Sequence, residues 1–320
     1  MNPSEITVGI VGLGLMGSSI AVALLLAGHR VVAIAPLAED QELGPDRVSE
    51  CLAQCEASGL LKADLGKYQS CLTISGDFGL LADCRLVMEC VIEKLEVKRS
   101  VFSKIADCVS PTAIIASNTS AIPISTLQTY VSHPERFLGI HWAEPAYLTR
   151  FLEITCGKHT ALEYAESAMA LAHCWGKEPT LLRRDLRGFI TNRLMYAVYR
   201  EMFHLMAEGK ATMTDVDKAF RYDAGSWMTL MGVFRRMDYL GLKEYSEILT
   251  RIIPQLSNSE TVPGLMQEMV DNNARGIHNN RGLYEYGPGE AKQWDEAFAL
   301  FNQEIYHLST QYPATPRAEK

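Results

Sequence analysis

The stretch 6-ITVGIVGLGLMGSSIAVALLLAG-28 decides how the rest of the chain is read. Residues 6–11 form an apolar run of the kind that makes a parallel strand buried on both faces. Gly12, Gly14 and Gly17 follow as G-x-G-x-x-G, with Leu15 and Met16 inside the motif. Residues 18–26 are apolar helix formers, and Gly28 closes them. Strand, glycine turn and helix in that order make the first unit of a dinucleotide-binding fold. Gly12 permits the turn, Gly14 leaves backbone free to approach a pyrophosphate, and Gly17 lets the helix pack close to the strand. The phosphates then lie at the positive end of the helix dipole. A second strand at residues 31–35 comes on schedule. The plainer alternative is a glycine-rich turn in a different α/β fold.

Outside that stretch, composition narrows the classes. The chain has 320 residues, enough for two domains, and an ordinary 48% apolar content. A net charge of −8, with no Lys/Arg block, argues against a general nucleic-acid binder, which needs a basic surface. The longest apolar run, residues 20–27, is too short to span a bilayer, so no membrane partner is expected. The opening MNPSEI carries no targeting pattern, which points to the cytoplasm. Eight scattered cysteines lack any C-x-x-C or zinc spacing, so they read as thiols in a reducing compartment and no metal is expected.

The pattern beyond the glycine turn alternates strands and helices. Strands are predicted at 72–74, 85–90, 113–117, 137–141, 151–155 and 178–182, and helices at 37–57, 94–106 and 162–175, with a turn-rich segment at 58–68. Beyond Asp185 strand signals stop. A long helix is predicted from Gly188 to residue 208, then one capped by Thr212 or Thr214, then further helices, a loop at 275–289 and a polar, fraying tail from Tyr312. The predicted architecture is an α/β doubly wound sheet of the Rossmann type over 1–185, followed by an all-α domain over 186–320.

Three features sit at strand ends, where such a sheet places its ligands. Ser117-Asn118-Thr119-Ser120 supplies short polar side chains able to bond a ribose, a nicotinamide amide or a substrate oxygen, or simply to cap the strand. His141 closes the strand at 137–141. An alcohol oxidised by hydride transfer must also lose its hydroxyl proton, and an imidazole is a natural acceptor. Glu153 lies in an otherwise apolar strand, where a carboxylate is costly unless paired. The chain returning through Pro145 can set Glu153 against His141, orienting the ring and favouring its protonated form.

Taken together, GLGLMGSSIA (12–21), ECVIEKLEVKRSVF (89–102), ASNTSAIPI (116–124), HPERFLGIHW (133–142), EPAYLTRFLEI (144–154), GFITNRLMYAVYREM (188–202) and RGLYEY (281–286) resemble the L-3-hydroxyacyl-CoA dehydrogenase family over nearly the whole chain. The resemblance implies a Rossmann-type NAD domain and a helical domain that forms a homodimer. It makes His141 the catalytic base and Glu153 its partner, sets Ser120 and Asn192 near the substrate oxygens and nicotinamide, and lays Glu93, Lys98 and Asn118 along the cofactor.

Three departures stand out. Ala35, followed by Pro36, occupies the family's acidic position for the adenosine ribose, leaving Glu39 or Asp40 as nearby carboxylates. No arginine directly follows the strand to hold a 2′-phosphate, so NAD is expected over NADP. Glu144 replaces an asparagine beside the nicotinamide. Residues 51–67, Lys-rich in CoA-using members, hold only Lys62 and Lys67. The leading expectation is oxidation of an L-3-hydroxyacyl-CoA to the 3-keto compound. The alternatives are a dehydrogenase of a free hydroxy acid and a non-catalytic nucleotide binder.

Overall fold

The computed structural model describes residues 2–312, and the tail predicted to fray lies almost wholly outside them. The chain divides into two compact units, Met1–Ile190 and Thr191–Lys320.

The first unit is an eight-stranded sheet in the order β3-β2-β1-β4-β5-β6-β7-β8. Its strands are β1 (Thr7–Val11), β2 (Arg30–Ile34), β3 (Leu72–Ser75), β4 (Leu86–Glu89), β5 (Ile114–Ser117), β6 (Phe137–Trp142), β7 (Phe151–Cys156) and β8 (Glu178–Leu182). All neighbours run parallel except β6 and β7. Helices α1 (Leu15–Leu26), α2 (Ala38–Ala57), α3 (Leu65–Ser70), α4 (Leu95–Cys108), α5 (Ile124–Leu127) and α6 (Leu162–Cys174) connect them. The turn-rich segment thus contains the start of a short helix, α3.

Both faces of the sheet are covered, which is why its strands are apolar without alternation. One core gathers Val8, Ile10, Met88, Ala116, Leu138 and Ile154 with α1 and α6. The other gathers Val11, Val87, Ile115 and Phe137 with Phe102 and Ile105 of α4. Helix α1 has no polar side: nine of its twelve residues are buried. It begins at Leu15, earlier than its apolar run, because Gly14 turns the chain as its N-cap and Gly17 is already helical.

The second unit is helical: α7 (Thr191–Ala207), α8 (Met213–Ala219), α9 (Gly225–Met231), α10 (Val233–Leu240), α11 (Leu242–Ile252), α12 (Gly264–Asp271) and α13 (Glu290–Gln311). Helix α7 starts at Thr191 rather than Gly188, because Gly188 and Phe189 both adopt positive φ, 83° and 48°. Thr212 caps α8, accepting from the Asp215 N–H. No described residue from Thr191 onward is fully buried. Among the described residues, no helix is long and apolar enough to cross a membrane.

Candidate active site

The C-terminal edge of the parallel strands assembles the site. Register sets Val11, Glu89, Ser117 and Gly139 in one row across β1, β4, β5 and β6. Cross-strand partners share a face, and so do residues two apart along a strand. Glu89, Ser117 and His141 therefore project from the same side, the side covered by α4.

The glycine turn forms one end of the row. Gly12 has φ +100°, and a Cβ on it would lie 2.8 Å from the Cys90 carbonyl oxygen. A Cβ on Gly17 would lie 1.9 Å from the Gly12 carbonyl, so only glycine lets α1 start this close to the turn. A Cβ on Gly14 would meet nothing within 4 Å, so the backbone there borders open space. That bare stretch of backbone, capped onto the N-terminus of α1, fits the pyrophosphate of a dinucleotide. Leu15 is exposed at the helix start and Met16 is half-buried beside it.

The middle of the row is a buried polar network. Lys98, rising from α4, donates to both Glu89 carboxylate oxygens at 2.7 and 2.8 Å and lies 3.1 Å from Glu93 Oε2. The Ser117 hydroxyl donates to Glu89 Oε2 at 2.6 Å, and the Thr119 hydroxyl donates to Glu93 Oε1. Burial works to raise the Glu93 pKa, but the Thr119 hydroxyl and the Lys98 ammonium outweigh it and hold the carboxyl below its usual value. Lys98 is thus fully enclosed, whereas Glu93 keeps an exposed side. Asn118 accepts the Trp142 N–H at 2.9 Å, tying the end of β5 to β6, and Ser120 is exposed on the following turn.

His141 and Glu153 meet at the far end. They are directly opposed residues of the antiparallel pair β6/β7. His141 Nδ1 lies 3.5 Å from Glu153 Oε2, within ion-pair distance, and among the described residues neither atom makes a hydrogen bond. Glu153 is almost completely enclosed; His141 keeps 15% of its side chain exposed. Glu153 Oε1 accepts the Ile190 N–H at 2.8 Å. Asp185 anchors the segment leading there, accepting the Ser125 N–H at 2.6 Å and its hydroxyl at 2.8 Å. The ring of buried Phe189 then sits 5.9 Å from the His141 ring, and Phe151 lies edge-on at 6.2 Å.

The connection from β6 to β7 carries Glu144, which is exposed. Lys177 holds it from below. This buried ammonium donates to the carbonyls of Ala146 and Thr149 and stacks 5.3 Å from the Trp142 ring. Burial, and then the Arg150 charge, push its pKa down to about 7. Ser19 of α1 accepts the Ala146 N–H at 2.7 Å, pinning the same connection to the glycine-turn helix.

Sequence reasoning passed over Glu89, Lys177 and Phe189. Glu89 carried the signal used for Glu153, a carboxylate ending an apolar strand. Lys177 and Phe189 carried none, since their roles come from contacts remote in sequence. Asn192 lies in the second unit, half-buried at the start of α7. Among the described residues no group of His, Cys, Asp and Glu could hold a metal ion, and no disulfide joins any of the cysteines.

A glycine cradle on a helix N-terminus, in one row with an imidazole–carboxylate pair, defines a nicotinamide-dependent dehydrogenase. The chain belongs to the 3-hydroxyacyl-CoA dehydrogenase family: residues 7–186 match the NAD binding domain and residues 188–286 the C-terminal domain of that family's models. It is accordingly an NAD-dependent enzyme acting on a CH–OH group. A 5-formyl-3-hydroxy-2-methylpyridine 4-carboxylate 5-dehydrogenase of Mesorhizobium japonicum is 30% identical over 288 residues, covering 89% of this chain and 92% of that one. An L-carnitine dehydrogenase of a Pseudomonas species is 31% identical over 280 residues, covering 85% and 86%. A crystal structure of a 5-formyl-3-hydroxy-2-methylpyridine 4-carboxylic acid 5-dehydrogenase, described as an NAD+-dependent dismutase, superposes with a TM-score of 0.87 at 28% identity, covering 94% of this chain and 97% of that one.

Proposed function

We propose that this enzyme oxidises the hydroxyl of a small, free hydroxy acid or similar alcohol. The opposed His141–Glu153 pair carries the chemical part of the proposal. Glu153 is held by the Ile190 N–H and faces Nδ1, so it fixes the ring and leaves Nε2 to take the hydroxyl proton. Bound in the glycine cradle, NAD would supply the acceptor for the hydride that leaves the carbinol carbon. Ser120, which is exposed, and the half-buried Asn192 are assigned to the substrate oxygens and nicotinamide. The Gly12–Gly17 turn and the part-exposed Glu93 are assigned to the cofactor, with Asn118 bracing its floor and Glu144 at its nicotinamide end; Lys98, expected from the sequence along the cofactor, is enclosed and supports Glu93 from behind instead.

Two observations support a free substrate. The relatives above are named for a pyridine carboxylate and for carnitine. Lys62 and Lys67 line a cavity of about 430 Å³ with Ser4, His29 and Arg30, at the edge where the parallel strands begin, opposite His141. The L-3-hydroxyacyl-CoA substrate is the second reading, favoured by the family match itself. A panel of free hydroxy acids against 3-hydroxybutyryl-CoA, followed by NADH absorbance, separates the two; saturation only by the thioester reverses their order. In either case His141→Ala lowers kcat by about 10²- to 10⁴-fold. Glu153→Gln gives a smaller loss, and unchanged turnover in His141→Ala removes the assigned base.

We also infer that the second unit pairs with a second copy of the chain. Its apolar side chains stand open, among them Phe234 (83% exposed), Tyr239 (75%) and Leu194 (64%), more than an isolated helical unit leaves to water. Eight cysteines with no disulfide among them suit a reducing compartment such as the cytoplasm.

A further inference from the structure

We propose that Asp40 of helix α2 holds the adenosine ribose hydroxyls of NAD, replacing the acid missing from the end of β2, and that Arg47 positions it. In a doubly wound nucleotide fold the carboxylate that discriminates NAD from NADP ordinarily stands at the end of the second strand. Here that place is Ala35, fully buried and without a polar side chain. The first turn of α2 is locked over it: Gln41 Nε2 donates to the Ala35 carbonyl at 2.9 Å.

Asp40, Gly44 and Arg47 follow at i, i+4 and i+7, one stripe of the helix. That stripe lies on the glycine turn. A Cβ on Gly44 would sit 2.9 Å from the Leu13 side chain, so α2 comes this close only because residue 44 is glycine. Arg47 Nη1 donates to the Leu13 carbonyl at 2.9 Å and to Asp40 Oδ1 at 3.0 Å. The two bonds end to end hold that carboxylate within about 6 Å of Leu13, which lies between Gly12 and Gly14. Asp40 is one helical turn nearer the end of β2 than Gly44. It therefore stands between the strand end and the pyrophosphate cradle, the interval an adenosine ribose spans. Glu39, its neighbour, is exposed and off the stripe.

A carboxylate here accepts from the 2′ and 3′ hydroxyls and repels a 2′-phosphate. With Asp40 removed, the Arg47 guanidinium is freed to meet such a phosphate. The test is equilibrium binding to the purified full chain, read by nicotinamide fluorescence, using NADH, NADPH and an NADH analogue lacking the adenosine 2′-hydroxyl. Wild type binds NADH tighter than NADPH. Asp40→Asn raises the NADH Kd by about 10- to 100-fold, the loss of a charge-assisted hydrogen bond, and lowers the NADPH Kd. It no longer distinguishes NADH from the 2′-deoxy analogue, whereas wild type does. Arg47→Met shrinks that same distinction and Arg47→Lys restores it; an arginine that only stabilised the fold would weaken both ligands alike. Glu39→Gln binds as wild type. An Asp40→Asn protein with the wild-type NADH Kd, or a loss that tracks Glu39 instead, overturns the proposal. If Asp40→Asn does not fold, equal wild-type affinity for NADH and its 2′-deoxy analogue overturns it equally.

Discussion

Two enclosed histidines show how a residue's role is decided by its partners. His29 is fully buried with both nitrogens engaged: Nδ1 meets the Ile6 carbonyl at 2.9 Å, and Nε2 accepts the Trp175 indole N–H at 2.8 Å. Burial lowers its pKa, so it stays neutral and serves the fold. His141 has a carboxylate on one nitrogen and part of its ring open, the arrangement a base requires. Lys177 allows a prediction at this same scale. Its pKa, about 7, lies far below that of an unfolded lysine, about 10.4. Between those values the unfolded chain binds more protons than the folded one, so stability rises with pH across that window and the burial cost is full below about pH 7. Wild-type stability minus that of Lys177→Met, from urea midpoints at rising pH, should climb by up to about 1.4 kcal/mol per pH unit. A flat difference would show that the ammonium is not desolvated.

Elements act through the approaches they permit. The turn from β1 to α1 separates two kinds of glycine, and substitution tells them apart. Gly17→Ala drives a methyl into the Gly12 carbonyl and should lower the stability of the apo protein by about 1–3 kcal/mol. Gly14→Ala adds a methyl where nothing stands, so apo thermal unfolding should hardly move while NADH binding weakens by tenfold or more. Loss of apo stability in Gly14→Ala, with binding intact, would contradict a cradle built on bare backbone. The β6/β7 pair is the other decisive element. An antiparallel turn there puts residues twelve apart in the chain opposite each other, whereas a one-residue slip would send the two side chains to opposite faces. The connection held by Lys177 and Ser19 guards that register.

At the scale of the whole molecule, the two units differ in how they close a core. The first encloses two apolar clusters, one on each face of its sheet. The second has no fully buried described residue in its helices, so its folding should be coupled to association. Sedimentation should show a dimer, and the melting temperature should rise with protein concentration. A monomer with a concentration-independent transition would count against the second copy as its partner.

Local sequence alone determined much of this protein. The apolar strands, the glycine turn, the helix periods and the change of character near residue 185 are all encoded within windows shorter than one βα unit. Backbone geometry and one-dimensional burial pattern suffice there. Glu153 was legible for the same reason, because a carboxylate in an apolar strand needs a partner wherever it sits. Tertiary structure decided the rest. Only strand order and register could set Glu153 against His141, bring Ser117 of β5 onto Glu89 of β4, bring Lys177 beneath the 143–150 connection, and lay Asp40 and Arg47 on the glycine turn. The start of α7 was misplaced because the positive φ of Phe189, a residue that rarely adopts it, is held by burial against the core around α4. Each of these depends on contacts between segments distant in the chain, and such pairings exist only once the sheet has formed.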